Sequence, residues 1–204
     1  MKNLPALLEI SARDHNHLCP RQILGVRIGL RGMDALQLEA NQGSKRLLVI
    51  TETDGCFADG LSAATNCTVG HRTLRVEDYG KAAATFVDTQ TGRAVRVAPV
   101  PDIRERATNS VTDEPRHYFA QMQAYQTMPD EDMLTVQEVF LNTSIEQIVS
   151  HPGLRVNCNI CGEEIMNERE ICCEGSIICK SCSGNGYYRS GLKVHLPYQI
   201  ASYK

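Results

Sequence analysis

Near the C-terminal end of the sequence, two Cys-x-x-Cys steps carry the residues best suited to chemistry: Cys158-Asn159-Ile160-Cys161 and Cys179-Lys180-Ser181-Cys182. The two-residue spacer lets the chain turn so that both sulfurs of a step face one side, and Gly162 supplies the unusual backbone angles needed after Cys161. Seventeen residues separate the steps, within the window of about 15 to 20 that suits a zinc site. The implied geometry is two knuckles with a hairpin between them. Four thiolates would close a tetrahedron around Zn²⁺ with no open position, which makes the site structural. A redox pair, an iron–sulfur cluster and cysteines packed as small hydrophobes are the alternatives. Cys172 and Cys173 fall inside the expected hairpin, one on each face if it is extended, and either could replace a presumed ligand.

A second constellation lies at the other end of the chain. His15, His17 and Cys19 alternate with Asn16 and Leu18; in an extended segment residues two apart project to one side, so the three could converge on one ion or substrate. Cys56 follows Asp54-Gly55 and a β-like run, which places it at the opening of a helix, where unpaired N–H groups and the helix dipole favour a thiolate. Cys56 and Asp54 are therefore the candidate nucleophile and base, with Glu52 as a second candidate base and Asp59 as a helix-start carboxylate. Cys67 closes the same short helix, about 16 Å from Cys56 if the helix is straight, too far to share an ion with it. Lys81, in the turn Asp78-Tyr79-Gly80-Lys81, is a candidate anion contact.

These residues need elements to hold them. Apolar spacing predicts a helix over Leu4 to Ala12 and another from Pro20 to near Gly32, with proline in the first turn where its missing N–H costs nothing. Leu47 to Thr53 reads as a buried strand, and a short helix then runs to Cys67. Three β-like runs follow, Thr73 to Val76, Ala83 to Val87 and Ala94 to Val97, with a hairpin connection at Asp88–Gly92. This is an antiparallel signature. Helical spacing returns between Asp113 and Thr127, and Pro129 to Asp132 starts a short element running into Leu134-Thr135-Val136. His151-Pro152-Gly153 breaks the pattern. The expected fold is α+β, an antiparallel sheet packed with helices over residues 1–150, plus a small zinc-ribbon-like module and tail over 151–204.

Composition narrows the function classes. With 204 residues, 42% hydrophobic and 22% charged, the chain has room for one core domain and an appendage. No run approaches the roughly 18 apolar residues needed to cross a bilayer, and Met1-Lys2-Asn3-Leu4-Pro5 lacks the pattern of a secretory leader. The cytoplasm is the expected compartment. Nine cysteines, an odd number with four in paired steps, argue for metal rather than disulfides in a reducing environment. A net charge of −3 and no tryptophan disfavour nucleic acid; that reading rests only on Tyr187, Tyr188, Arg189, Lys193 and His195 beside the cysteine steps.

Six stretches taken in order resemble the FmdE family, associated with formylmethanofuran dehydrogenase. They are His15-Asn16-His17-Leu18-Cys19-Pro20, Gln22-Ile23-Leu24-Gly25-Val26-Arg27, Glu52-Thr53-Asp54-Gly55-Cys56, Cys67-Thr68-Val69-Gly70, Asp78-Tyr79-Gly80-Lys81 and Ala94-Val95-Arg96-Val97. The likeness covers about residues 10 to 145. It implies an α+β core with a cleft lined by cysteine and histidine, a zinc-binding C-terminal module and a homodimer. By position, His17, Cys19 and Cys56 match the cleft residues, with Asp54 and Lys81 nearby. Asn16 stands where glycine is usual and leaves the alternation intact; Arg21 stands where a small residue is common and could narrow the cleft or contact an anion. The implied partners are molybdenum or tungsten formylmethanofuran dehydrogenase subunits.

The first functional expectation is a metal-binding accessory or regulatory protein, whose cleft holds a second transition metal or a small ligand beside the structural zinc. The alternative is a metal- or thiol-dependent enzyme acting on a small molecule. A nucleic-acid-binding zinc protein ranks third.

Overall fold

The computed structural model describes residues 3–13 and 17–188. Its chain divides between Ile145 and Glu146 into two compact units.

In the first unit, α1 (Leu4–Ala12) starts where the Asn3 side chain accepts a hydrogen bond from the Ala6 N–H at 3.0 Å, and it buries Leu7 and Leu8. The second helix, α2 (Pro20–Leu36), has proline in its first turn and ends only at Gln37, whose φ is +57°. It passes straight through Gly32, the expected stop. The reason is packing: a Cβ at Gly32 would lie 2.2 Å from the Phe86 ring, so this glycine makes room and does not cap. Next come β1 (Leu47–Thr51), α3 (Cys56–Thr65), β2 (Leu74–Val76), β3 (Ala84–Asp88) and β4 (Ala94–Pro99). They are followed by α4 (Ile103–Ser110), α5 (His117–Thr127), α6 (Asp130–Met133) and β5 (Leu134–Glu138). Helix α4 is absent from the sequence expectation because its apolar stripe is thin; only Ile103 and Ala107 of it are buried.

The sheet order is β2-β1-β3-β4-β5. Three of the pairings are antiparallel, whereas β1 and β2 run parallel, with Val49 opposite Leu74. The antiparallel grouping expected for the run ending at Val76 is thus corrected. Helix α3 carries the chain back along its starting direction, and the returning strand must then pair in parallel. Leu47, Val49, Phe86, Val95 and Val97 face the helical core.

Helices α2 and α3 touch backbone to backbone. A Cβ at Gly25 would meet the Phe57 carbonyl oxygen at 2.3 Å, and one at Gly60 would meet the Gln22 carbonyl oxygen at 2.3 Å. Further along, a Cβ at Gly29 would lie 2.7 Å from that of Ala64. Contact positions rise together in both helices, so the two run in the same direction and present their N-termini at the same end.

Two ion pairs fix the periphery. The Arg27 guanidinium, 11% exposed, donates to the carbonyls of Tyr125 (2.8 Å) and Met128 (2.7 Å) and pairs with Asp130, tying the C-terminal end of α5 to α2. Arg46 forks onto Asp88 at 2.9 and 2.8 Å across the start of β1 and the end of β3. That fork holds the buried Asp88 carboxyl far below the usual carboxylate range.

The second unit contains α7 (Ile145–Val149), which begins on the last residue of the first, and two small hairpins. These are β6 (Arg155–Asn157) with β7 (Glu164–Met166), and β8 (Ile171–Cys173) with β9 (Ser176–Ile178). Its core is little more than Cys158, Ile165 and Ile178.

Gly25→Ala and Gly60→Ala should each force the helices apart and cost about 1–3 kcal/mol, seen as a lowered thermal midpoint. Asp88 adds stability that is fully present above the ordinary carboxylate pKa and is lost as pH falls through its depressed folded value. In an acid titration Asp88→Asn should therefore start less stable at neutral pH and lose less than the wild type on acidification.

Candidate functional site

The first Cys-x-x-Cys step sits in the turn between β6 and β7. The Cys158 N–H donates to the Glu163 carbonyl and the Gly162 N–H to the Cys158 carbonyl, both at 2.9 Å, while Gly162 takes a φ of +78°. The second step follows β9 directly and enters a π-helical turn, Ser181–Asn185. Asn159 joins the two: its side-chain oxygen accepts from the Ile177 N–H at 2.7 Å, and its own N–H donates to the Ile177 carbonyl at 2.8 Å. This strap aims Cys179 at the first knuckle. In the sequence Asn159 reads only as a spacer; its amide, able to imitate a strand edge, is the signal that could have marked it.

The four sulfurs of Cys158, Cys161, Cys179 and Cys182 all lie within 4.8 Å of one another. Thiolates around Zn²⁺ at a Zn–S distance of about 2.3 Å stand roughly 3.8 Å apart, and Cys161 and Cys179 are separated by 3.9 Å. The cluster could hold a metal ion, and its donor set and spacing fit one. Backbone N–H groups, that of Cys161 foremost, hold the Cys158 thiol down to about 6. Cys182 is pushed up to about 12, first by sharing a proton with the Cys179 thiol and then by burial. Cys172 and Cys173 lie exposed on β8, opposite Ile177 and Ser176, and the four-sulfur set assembles without either.

In the first unit, Cys19 is the residue that caps α2 and Cys56 is the first residue of α3. Because those helices run parallel in backbone contact, their N-termini bring the two thiols together. Cys19 is buried and Cys56 half-buried. Gln22, fully buried, accepts the Cys19 N–H at 2.8 Å and donates to the Ser11 carbonyl at 2.8 Å, locking α1 against this end of α2. Gly55, with φ +65°, makes the turn from β1 into α3. The Cys56 thiol is raised, chiefly by desolvation and next by sharing a hydrogen bond with Cys19; Arg21 opposes the rise. This reverses the depressed value expected from the helix dipole. A neighbouring thiol and partial burial outweigh the dipole, because a second negative charge there would face the first.

Tyr118 on α5 belongs to the same place. Its hydroxyl donates to the Leu18 carbonyl at 3.2 Å, and burial together with the charge on Cys19 and Cys56 raises it above its ordinary value. The sequence does not mark Tyr118 as a site residue, since it lies some 100 positions from Leu18 and reads as part of a helical stripe.

The other candidates scatter. His17 and Asp54 are exposed, and among the described residues no third histidine, cysteine or acidic ligand atom gathers with the Cys19–Cys56 pair. His15 lies outside the described residues, as do Arg189, Lys193 and His195. Glu52 is not an available base: its carboxylate is held by both nitrogens of the Arg96 fork, one at 2.7 Å. Its carbonyl instead anchors the next turn, accepting the N–H groups of Tyr79 (2.9 Å) and Lys81 (3.2 Å), and the Lys81 side chain is exposed. Cys67 is buried structure; Asn41 donates to its sulfur at 3.0 Å, and burial raises its thiol. Tyr187 and Tyr188 are exposed and meet edge to face.

The fold and sites thus define a class: an α+β domain with paired thiols at two helix N-termini, and a separate unit with a four-cysteine cluster that could hold a metal. A family model described as "FmdE, Molybdenum formylmethanofuran dehydrogenase operon" matches residues 15–135. The chain belongs to the FmdE family. It is 36% identical over 97 residues to an Archaeoglobus fulgidus protein described as "Probable S-adenosyl-L-methionine-binding protein", covering 46% of this chain but only 26% of that relative. Its fold is similar to the crystal structure of a tungsten formylmethanofuran dehydrogenase FmdE-like protein from Syntrophus aciditrophicus. There the TM-score is 0.60 at 22% identity, with 91% of this chain and 95% of the other covered. Among the described residues no helix is long and apolar enough to cross a membrane.

Chelation should affect the second unit first, since metal binding would supply most of its folding energy. Treating the purified protein with a strong chelator should make residues beyond 146 sensitive to protease while the first unit stays resistant, and Cys161→Ser should do the same without chelator.

Proposed function

We propose that the chain is a metal-binding accessory or regulatory protein with two sites of different character. The four cysteines of the second unit hold a structural zinc, and the Cys19–Cys56 pair of the first unit, with His17 and His15 as its further candidate ligands, holds a second transition metal or a small ligand. The single observation supporting the cleft is the meeting of Cys19 and Cys56 at two parallel helix N-termini. Thiolates suit soft or borderline cations, which would supply Lewis acidity there when bound. The dipoles of both helices partly offset the charge of the thiolates, Arg21 adds to that effect, and Tyr118, whose hydroxyl donates to the Leu18 carbonyl, stands beside them. Asp54 and Lys81 are the further candidates of this reading, Lys81 as the contact for an anionic group.

In this reading residues 1–150 form the ligand-binding core and 151–204 the zinc-ribbon-like module. The protein is cytoplasmic, forms a homodimer and associates with molybdenum or tungsten formylmethanofuran dehydrogenase subunits. The alternative, a metal- or thiol-dependent enzyme with Cys56 as nucleophile and Asp54 as base, draws on the same pair: two thiols leave coordination positions open for a substrate.

Elemental analysis tests the proposal. The wild type should retain a second metal equivalent beyond that bound by the four cysteines, and Cys19→Ser or Cys56→Ser should each remove it while leaving the thermal midpoint nearly unchanged. If neither variant alters the metal content, the cleft is not a metal site. Calorimetric titration of the same proteins with S-adenosyl-L-methionine, chosen for the description of the Archaeoglobus relative, then asks whether the pair serves a small ligand.

A further inference from the structure

The sheet ends, among the described residues, in a strand that its own unit leaves uncovered. Strand β5 forms one edge; Leu134 is buried, but Thr135, Val136, Gln137 and Glu138 are all exposed, although side chains alternate between the two faces. By register, Leu134, Val136 and Glu138 share the helical face with Pro99, Val97 and Val95. An inner strand there would be covered. Val136 is instead 38% exposed, and Phe140, two residues past the strand, is 92% exposed.

The backbone of this edge is also unpaired outward. The Val139 N–H donates to the Ala94 carbonyl and the Val100 N–H to the Met133 carbonyl, which fixes which peptide groups turn toward β4. Those of 133, 135, 137 and 139 face inward, and those of Val136 and Glu138 face away. A groove of about 560 Å³ runs beside them, lined by Arg31, Asp130, Glu131, Leu134 and Val136.

We infer that this edge joins a second copy of the chain, β5 pairing antiparallel with β5 of the partner about a two-fold axis centred on Val136, so that the two sheets become one. The inference rests on the homodimer proposed above and names its surface. The strand is self-complementary in that register. Val136 meets Val136 of the partner, exchanging both N–H to carbonyl bonds, and the Glu138 N–H reaches the carbonyl of the partner's Leu134. On the helical face, the partner's Glu138 then stands opposite Leu134, beside which Arg31 lines the groove; the guanidinium, which also pairs with the exposed Asp34 of its own helix, meets a second carboxylate, and symmetry repeats the contact. Of the two acids that line the groove, Asp130 is paired with Arg27, and Glu131 is exposed, where solvent and salt screen its charge. Strands this short bury less than the roughly 1,200 Å² of a stable interface, so the groove and Phe140 must add area. The opposite edge, β2, is three residues long and offers a poorer template.

Light scattering coupled to size exclusion, together with sedimentation equilibrium, measures the assembly. The wild type should be a dimer. Val136→Pro removes an N–H that points away from β4, a change an edge strand accommodates, and should weaken the dimer by at least about tenfold, as should Glu138→Arg. Adding Arg31→Glu to Glu138→Arg should restore association by re-forming the pair with its signs exchanged. Far-ultraviolet circular dichroism checks that each variant folds; should the proline variant not fold, the charge-exchange pair decides. A dimer unaffected by Val136→Pro and Glu138→Arg would overturn the β5 interface while leaving the homodimer standing on another face. A monomeric wild type would remove both.

Discussion

The core of this protein depends on one close approach, that of the α2 and α3 backbones at Gly25 and Gly60. A single methyl at either position would press against a carbonyl oxygen at 2.3 Å, so the contact exists only because both residues lack a side chain. Much follows from it. Parallel helices in register at Gly25 and Gly60 have their N-termini about 6 to 9 Å further down, and that is where Cys19 and Cys56 stand. The parallel course of β2 has the same origin, because α3 packed in this direction returns the chain to the side from which β1 began.

Around that contact, buried polar groups fix what apolar packing leaves adjustable. Gln22 links the Cys19 backbone to α1 through the Ser11 carbonyl. Arg27 satisfies carbonyls at the C-terminal end of α5 and so fixes the helix that carries Tyr118. Each of these side chains is long and mostly or wholly buried, and each uses its donors on backbone carbonyls. Such bonds cost little when made and much when broken, since a carbonyl left dry loses its hydration without return. The thiol pair is therefore positioned largely by side chains that act on the backbone around it.

The two cysteine sites are built on different principles. The four-cysteine unit is local: each knuckle is a turn, the first closed by Gly162, and Asn159 brings the knuckles together through one strand. Its apolar core is small, so a metal there would serve stability. The Cys19–Cys56 pair is non-local, set in a full hydrophobic core that does not depend on it. That core can keep the Cys56 thiol partly desolvated without relying on it for stability.

The sequence by itself determined whatever depends on neighbours along the chain. The spacing of Cys158, Cys161, Cys179 and Cys182, the helix from Leu4 to Ala12, the proline start at Pro20, the strand beginning at Leu47 and the helix start at Cys56 were all legible, because turn geometry and side-chain periodicity act over a few residues. The likeness to the FmdE family was legible as well, carried by short motifs in order. Tertiary structure decided the rest. It made Gly32 a packing residue instead of a helix stop, bound Glu52 to Arg96, buried Cys67 beside Asn41, turned β2 parallel and raised the Cys56 thiol by setting it against Cys19. It also brought Tyr118 to that pair. These outcomes depend on which surfaces meet across many tens of residues, and no local pattern encodes a meeting that two glycines, far apart in sequence, permit only when their helices touch.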